Sequence, residues 1–339
     1  MAKLSQTNAT AITQPVVAIV GPTGVGKSEL AQRVAYALDT TVLSADSMQV
    51  YRGMNIGTAK MIPRQMIVPH FGLDLVDPSH LYSAAKYQAY ARNLIESQVA
   101  KSAGVSPIVC GGTGLYLRAA LDDFDFSTDA SVTNSEDDEL SRASARDEYE
   151  ALAAEIGAQS MHAILLQRDP AAAAVIHPNN TRRVIRALEL MDGGQSYADL
   201  KAAFKLRTSY YPTLWIALNR NRMTLYEVIN QRVDQMMDTG LLQEVESLLQ
   251  AGYRNALTAQ AAIGYKELVP VIEEGADLAT AIADIKQSSR RYAKRQLSWF
   301  RSDPRVKWLD VDDVPMEQLV QQVLQLLAGY NCEKESTLN

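Results

Sequence analysis

The chain alternates short apolar runs with longer stretches of helical periodicity. Val16–Val20 is an unbroken β-branched and apolar run, and Thr41–Ser44, Pro107–Cys110 and Leu214–Leu218 are three more. Runs this short, closed by turn residues, predict strands buried on both faces, as in a parallel sheet. Between them, Lys27 to Leu38, Ser83 to about Lys101 and Thr224–Thr239 predict helices. In the second of these, Ala84, Tyr87, Ala91, Leu94, Ile95 and Val99 recur every three or four positions. Strands alternating with helices predict an α/β fold, a parallel sheet flanked by helices.

The texture changes after Asp122. The stretch DDFDFSTDASVTNSEDDEL is acidic with no strand pattern, and Ala-rich helical segments follow at Asp147–Ile156 and Pro170–Ile176. We read residues 123–178 as an all-helical insertion into a core of residues 15–122 and 179–330, with a flexible polar leader (1–14) and a disordered tail (331–339). After the insertion, HPNNTRRVIRALEL predicts a capped helix that buries Val184, Ile185, Leu188 and Leu190. Its Arg182, Arg183 and Arg186 fit either a solvated face or a contact surface.

Two later helices carry anomalies. Leu225, Val228, Ile229, Arg232 and Met236 share one stripe, so Arg232 either snorkels to water or meets a buried anion. From Ala279 to Arg301, Lys286, Arg290, Lys294 and Arg301 stay near one face, with Arg291 and Arg295 alongside and Tyr292, Trp299 and Phe300 interleaved. That pattern fits a nucleic-acid surface, although a solvated face is commoner.

Composition narrows the class. With 339 residues and 47% hydrophobic content the chain can build one large or two ordinary domains. No run of about 18 apolar residues exists, and the N-terminus lacks a signal core, so the expectation is a cytoplasmic protein without membrane contact. Two cysteines suit a reducing compartment; Cys110 reads as a buried thiol and Cys332 lies in a polar stretch. The four histidines show no ligand spacing, so they read as structural or surface groups. A net charge of -6 argues against non-specific coating of nucleic acid but leaves room for a local basic patch.

The sharpest chemical signal is Gly21-Pro22-Thr23-Gly24-Val25-Gly26-Lys27-Ser28, which fits the phosphate-loop pattern G-x-x-x-x-G-K-[ST] without mismatch. Glycines let backbone N–H groups converge on phosphate oxygens, Lys27 adds charge, and the Ser28 hydroxyl can hold Mg²⁺ where a helix begins. Taken alone, the loop announces a nucleotide such as ATP. Asp46 follows a neighbouring strand, at the end where open α/β sheets bind ligands; it reads as a site carboxylate or as a turn cap. Gly111-Gly112-Thr113-Gly114 ends the third strand and permits close backbone approach, with no lysine to make it a second nucleotide loop. No strand ends in an aspartate placed as in a motor ATPase, which leaves kinase or transferase chemistry. The insertion is dominated by Glu136, Asp137, Asp138 and Glu139, with Arg142 and Arg146 its early cations, a poor composition for a phosphate-gripping lid.

The motifs GPTGVGKS, SADSMQVYRGMNIGTAK, GGTGLYLRA, PNNTRRVIRALEL, RVDQMMDTGLLQEV, AIGYKEL and YAKRQLSWFR occur in that order. In this the chain, from about Val16 to Trp308, resembles the bacterial tRNA dimethylallyltransferases, the tRNA isopentenyltransferases of the IPP transferase family. The resemblance implies a P-loop NTPase-like sheet and a prenyltransferase that moves the dimethylallyl group of dimethylallyl diphosphate to the exocyclic amine of the adenosine 3′ of the anticodon. It makes Asp46 the general base, Thr23 and Arg232 the groups that hold the leaving diphosphate, and Gly21–Ser28 the diphosphate cradle, with Mg²⁺ on Ser28. Asp46, Ser47, Met48 and Gln49 would contact tRNA, as would Arg182, Arg183 and Arg186. So would Gly264, Tyr265 and Lys266, and on the last large helix Lys294, Arg295, Gln296, Trp299 and Arg301. The insertion would clasp the anticodon stem-loop, and the adenosine would flip out of its stack. We expect a monomer.

Two departures from the family pattern stand out. Asn219-Arg220 replaces the Asp-Arg of many relatives, and Glu136–Glu139 is acidic where RNA would be gripped. The paired Cys and His of the zinc finger in eukaryotic relatives are missing. The competing readings are a small-molecule P-loop kinase, a prenyltransferase acting on free AMP, and a tRNA-binding protein without chemistry.

Overall fold

The computed structural model describes residues 15–101, 105–124, 136–255 and 258–337. In chain order the first half runs β1 (Val16–Val20), α1 (Lys27–Ala37), β2 (Val42–Ser44), β3 (His70–Phe71), α2 (Ala84–Lys101), β4 (Ile108–Gly111) and α3 (Gly114–Leu121). Four helices follow: α4 (Glu136–Arg168), α5 (Pro170–Val175), α6 (Thr181–Asp192) and α7 (Tyr197–Lys205). The chain then forms β5 (Thr213–Asn219), α8 (Arg222–Asp238), α9 (Leu241–Gln250), α10 (Val269–Glu274), α11 (Leu278–Arg301), β6 (Lys307–Asp310) and α12 (Met316–Thr337).

The strands make one sheet in the order β3-β2-β4-β1-β5-β6, and every pairing is parallel. Central β1 is wholly buried, with Ile19 beside Cys110 of β4 and Ile216 of β5. Val17, Ile19, Leu30, Val34, Ile216 and Leu218 share a core with Leu319, Val323 and Leu327 of α12. This is the expected α/β sheet. Its two edge strands, β3 and β6, gave no sequence signal. His70–Phe71 is too short to show a pattern, and Lys307–Asp310 is partly exposed, as edges are.

Two boundaries differ from expectation. The chain divides into two compact units, one of residues up to Asp122 and from Ser209 onward, the other Asp123–Thr208. The insertion therefore ends near 208, not 178. The reason is packing: Val184, Ile185, Ala187 and Leu188 of α6 share a buried cluster with Met161, Leu165, Ala172 and Ile176. Within α4, Gly157 takes a non-helical conformation (φ 81°, ψ 166°), which ends the helical segment expected to stop at Ile156. The second correction concerns the C-terminus, where α12 continues through Thr337 in place of a disordered tail. Leu319, Val323 and Leu327 bury its inner side, and nothing beyond Gly329 breaks the helix they nucleate. The leader 1–14 and residues 338–339 lie outside the described residues, as do the side chains of Glu136–Glu139. Among the described residues no helix is long and apolar enough to cross a membrane.

Candidate active site

The carboxyl ends of β1, β2 and β4 deliver three loops to one crevice of about 320 Å³ in the first unit. After β1 the phosphate loop turns through Gly26, which caps α1 in a left-handed conformation (φ 99°) that a side chain would resist. Lys27 opens α1, and its Nζ donates to the Pro22 carbonyl at 2.8 Å, so the lysine folds back along its own loop. Burial pulls the Lys27 ammonium below its usual 10.5; the Asp46 carboxylate opposes that shift and Arg232 adds to it.

Thr23 is held twice. Its hydroxyl accepts from Nη1 of Arg232 at 3.2 Å, and its N–H donates to Oε1 of Gln296 at 2.9 Å. The arginine in the apolar stripe of α8 thus turns into the crevice. Desolvation lowers its pKa against the pull of Asp46. Asp46 itself spends Oδ1 on the Met48 N–H at 2.9 Å, so it caps a turn and also lines the crevice.

The lining is of two kinds. Thr23, Lys27, Ser28, Asp46 and Arg232 are polar lining, while Ile229, Val233 and Met236 of α8, with Ile263 and Ile285, are apolar lining. Lys266 and Arg295, both exposed, stand at the rim. Tyr292 also faces in; burial, with the Asp46 charge, pushes its hydroxyl up to about 12. Ser28 and Asp46 offer a hydroxyl and a carboxylate, hard oxygen donors that fit Mg²⁺ shared with phosphate oxygens and water.

The profile of the family described as IPP transferase matches residues 49–303, and that described as isopentenyl transferase matches residues 14–67. The chain belongs to the IPP transferase family. It is 44% identical to the tRNA dimethylallyltransferase of Bacillus subtilis (strain 168) over 319 residues, covering 93% of this chain and 97% of that one. The enzyme of the same name from Carboxydothermus hydrogenoformans is 41% identical, with 94% and 99% covered. Among solved structures, the tRNA isopentenylpyrophosphate transferase of Bacillus halodurans superposes with a TM-score of 0.69 at 41% identity, covering 96% of this chain and 99% of that one. A eukaryotic dimethylallyltransferase acting on tRNA gives 0.70 at 28% identity, covering 88% and 74%.

In this family member the crevice gathers Thr23, Lys27, Ser28, Asp46, Ser47, Met48, Gln49 and Arg232 with Gly264, Lys266, Arg295 and Gln296. Gly21, Pro22, Gly24, Val25 and Gly26 shape the phosphate loop without lining the crevice. Lys294, Trp299 and Arg301 lie exposed on α11. In the second unit Arg182 and Arg183 are exposed, while Arg186 pairs with Glu189 at 3.1 Å.

Three residues read as RNA contacts are buried, Gly264, Tyr265 and Gln296, although Gly264 and Gln296 also line the crevice. Tyr265 is fully buried and donates its hydroxyl to Glu244 at 2.5 Å. Gln296 is buried with both ends of its amide engaged, Nε2 donating to the Gly112 carbonyl at 3.0 Å. Sequence reasoning in turn missed Glu244 and the roles of Tyr292 and Ile285. Ile285, Ser289, Tyr292, Gln296 and Trp299 are spaced four, three, four and three apart, one helical face that the sequence does display.

Proposed function

We propose that the crevice transfers the dimethylallyl group of dimethylallyl diphosphate to the exocyclic amine of the adenosine 3′ of the anticodon in tRNA. The observation that carries this reading is the Arg232–Thr23 pair on the phosphate loop, in one crevice with Asp46. The loop receives the diphosphate, and Ile229, Val233 and Met236 receive the prenyl chain. As the amine nitrogen bonds to the first prenyl carbon, the carbon–oxygen bond breaks and diphosphate leaves with its electron pair. Asp46 takes the amine proton, which becomes acidic only as attack proceeds. Thr23, Arg232 and Lys27 hold the oxygens on which charge develops. Ser28 and diphosphate oxygens would hold Mg²⁺, which supplies further neutralisation of the leaving group.

The exposed Lys294, Arg295 and Arg301 of α11, and Arg182 and Arg183 of the second unit, support a polynucleotide acceptor over free AMP. The apolar lining is what phosphoryl transfer to a small polar molecule does not require. Incubation with unmodified tRNA, dimethylallyl diphosphate and Mg²⁺ is expected to add one dimethylallyl mass to an adenosine. Asp46→Ala abolishes transfer while tRNA binding survives, and Arg232→Ala lowers turnover by about 10²- to 10³-fold, as loss of a charge-stabilising donor does. Modification of AMP alone, or ATP-dependent phosphorylation with no mass gain on tRNA, would overturn the assignment.

A further inference from the structure

Gln296 holds together the two loops between which the proposed reaction takes place. Its Oε1 accepts the N–H of Thr23 at 2.9 Å, and its Nε2 donates to the Gly112 carbonyl at 3.0 Å. Gly112 belongs to the loop that fixes the Asp46 strand end. There Ala45 N–H donates to the Cys110 carbonyl at 2.7 Å, Thr113 N–H to the Ala45 carbonyl at 3.3 Å, and Ser47 N–H to Thr113 Oγ1 at 3.0 Å. A continuous path of contacts therefore runs from Arg232 through Thr23, Gln296, Gly112 and Thr113 to Ser47, the neighbour of Asp46. The fit is tight: a Cβ on Gly112 would collide with the Gln296 amide, and one on Gly114 with the Trp299 indole.

We infer that Gln296 is a positioning residue that sets the spacing between Asp46 and the leaving-group oxygens held at Thr23. The inference rests on the transferase reading above and says how its two halves are kept in register. Prenyl transfer needs the amine, the prenyl carbon and the departing oxygen in line, so a small shift of one loop against the other is costly. The amide is matched in polarity at both ends, accepting from an N–H and donating to a carbonyl. A glutamate can satisfy only the first, and methionine, equal in shape, satisfies neither. The side chain is buried with each end of its amide engaged inside the fold, which turns it away from a role in gripping RNA. Its basic neighbours Lys294 and Arg295 stay exposed, Arg295 at the crevice.

The test uses Gln296→Met and Gln296→Glu, which keep the side chain's volume, with single-turnover transfer, tRNA binding and amide hydrogen exchange as readouts. Both variants are expected to slow transfer on the order of 10- to 100-fold with tRNA affinity unchanged. The Thr23 amide, protected in the wild type, exchanges freely in Gln296→Met. Gly112→Ala slows transfer in the wild-type background but costs much less beside Gln296→Ala, because the amide it would strike is gone and only the Gly21 carbonyl, 3.3 Å from the added Cβ, stays close. An unchanged rate would overturn the inference. So would loss of tRNA affinity in step with rate, or losses for Gly112→Ala and Gln296→Ala that simply add. If the wild-type chain moves no prenyl group at all, the transferase reading falls, and exchange at Thr23 alone decides whether the clamp exists.

Discussion

Changing Glu244 to glutamine removes one charge and one acceptor from beneath the crevice wall while keeping the shape of the side chain. Glu244 lies on α9, and its carboxylate gathers the N–H groups of a turn: Asn55 at 3.0 Å and Ile56 at 2.8 Å on Oε2, and Gly57 at 3.3 Å on Oε1. Oε1 also accepts the Tyr265 hydroxyl, and the Tyr265 ring packs so closely on Gly57 that a Cβ there would strike it. Burial, with the nearby Glu244 charge, raises the Tyr265 pKa far above that of a free phenol. The turn so held supplies Gly57, Thr58 and Ala59 to the crevice. The Ile56 N–H is shared, reaching Oε1 at 3.1 Å as well, so in Glu244→Gln an NH₂ at the Oε1 position strips Gly57 and Tyr265 of their acceptor, one at Oε2 strips Asn55, and the bonds that remain are to a neutral oxygen. Hydrogen bonds to a charged group are worth roughly 1.5–3 kcal/mol each, and the half-exposed site lets water recover part of that, leaving about 3 kcal/mol. For a unit of this size the loss lowers the melting temperature by roughly 6–12 °C, measurable by calorimetry. With its wall loosened, the crevice should show a raised KM for tRNA and a smaller change in kcat. A Glu244→Gln protein that melts with the wild type and keeps its KM would refute the claim that this carboxylate organises the turn.

Lys27 gives a pH signature. Because burial lowers its folded pKa, the unfolded chain binds a proton that the folded chain does not between that lowered value and 10.5, so in this window the free protein gains stability as pH rises. Diphosphate in the loop favours the charged lysine, so binding should take up a proton in the same alkaline window, seen by calorimetry in buffers of different ionisation enthalpy. Uptake that survives Lys27→Met would assign the proton elsewhere. The departure at Asn219 is explained by its partner: its amide donates to Asp310 Oδ1 at 2.6 Å across the β5–β6 edge. Asn219→Asp would set two carboxylates against each other and destabilise by up to about 1 kcal/mol at low salt, a loss that added salt or Asp310→Asn should relieve. A salt-independent loss would show that repulsion is not its cause.

The sheet's interior was legible because strands buried on both faces leave unbroken apolar runs: Val16–Val20 is an expected strand recovered to the residue. The oddity at Arg232 was legible for the same reason, since an arginine in an apolar stripe breaks a period, and Thr23 is the partner it faces. What escaped depends on contacts with no local trace. The partners of Gln296 lie 273 and 184 positions away, and those of Glu244 up to 189, so neither residue's environment could be read from its neighbours in sequence. A helix rich in lysine and arginine suggests a surface, and Gln296 stands within that run. The end of the insertion escaped likewise, because the amphipathic stripe of α6 says that the helix packs but not against which unit.

The family motifs therefore divide into two kinds of residue. Thr23, Asp46 and Arg232 line the crevice where chemistry is proposed, while Gln296 and Glu244 hold the backbone that presents it. Each of the holding residues joins three motifs that are far apart in sequence. Gln296 ties GPTGVGKS to GGTG from within RQLSWF, and Glu244 of LLQEV ties MNIGTAK to the tyrosine of IGYKEL. In both junctions one partner is a glycine whose missing side chain makes room for the tie, Gly112 for the Gln296 amide and Gly57 for the Tyr265 ring. Met54 and Val25 anchor these loops by burial, and the charged or doubly hydrogen-bonded side chain from a helix fixes the glycine and polar positions beside them that have no apolar side chain to bury. Rigid presentation matters more here than in a binding site alone. Two substrates must meet in line, and an error in either loop is felt at the reacting carbon.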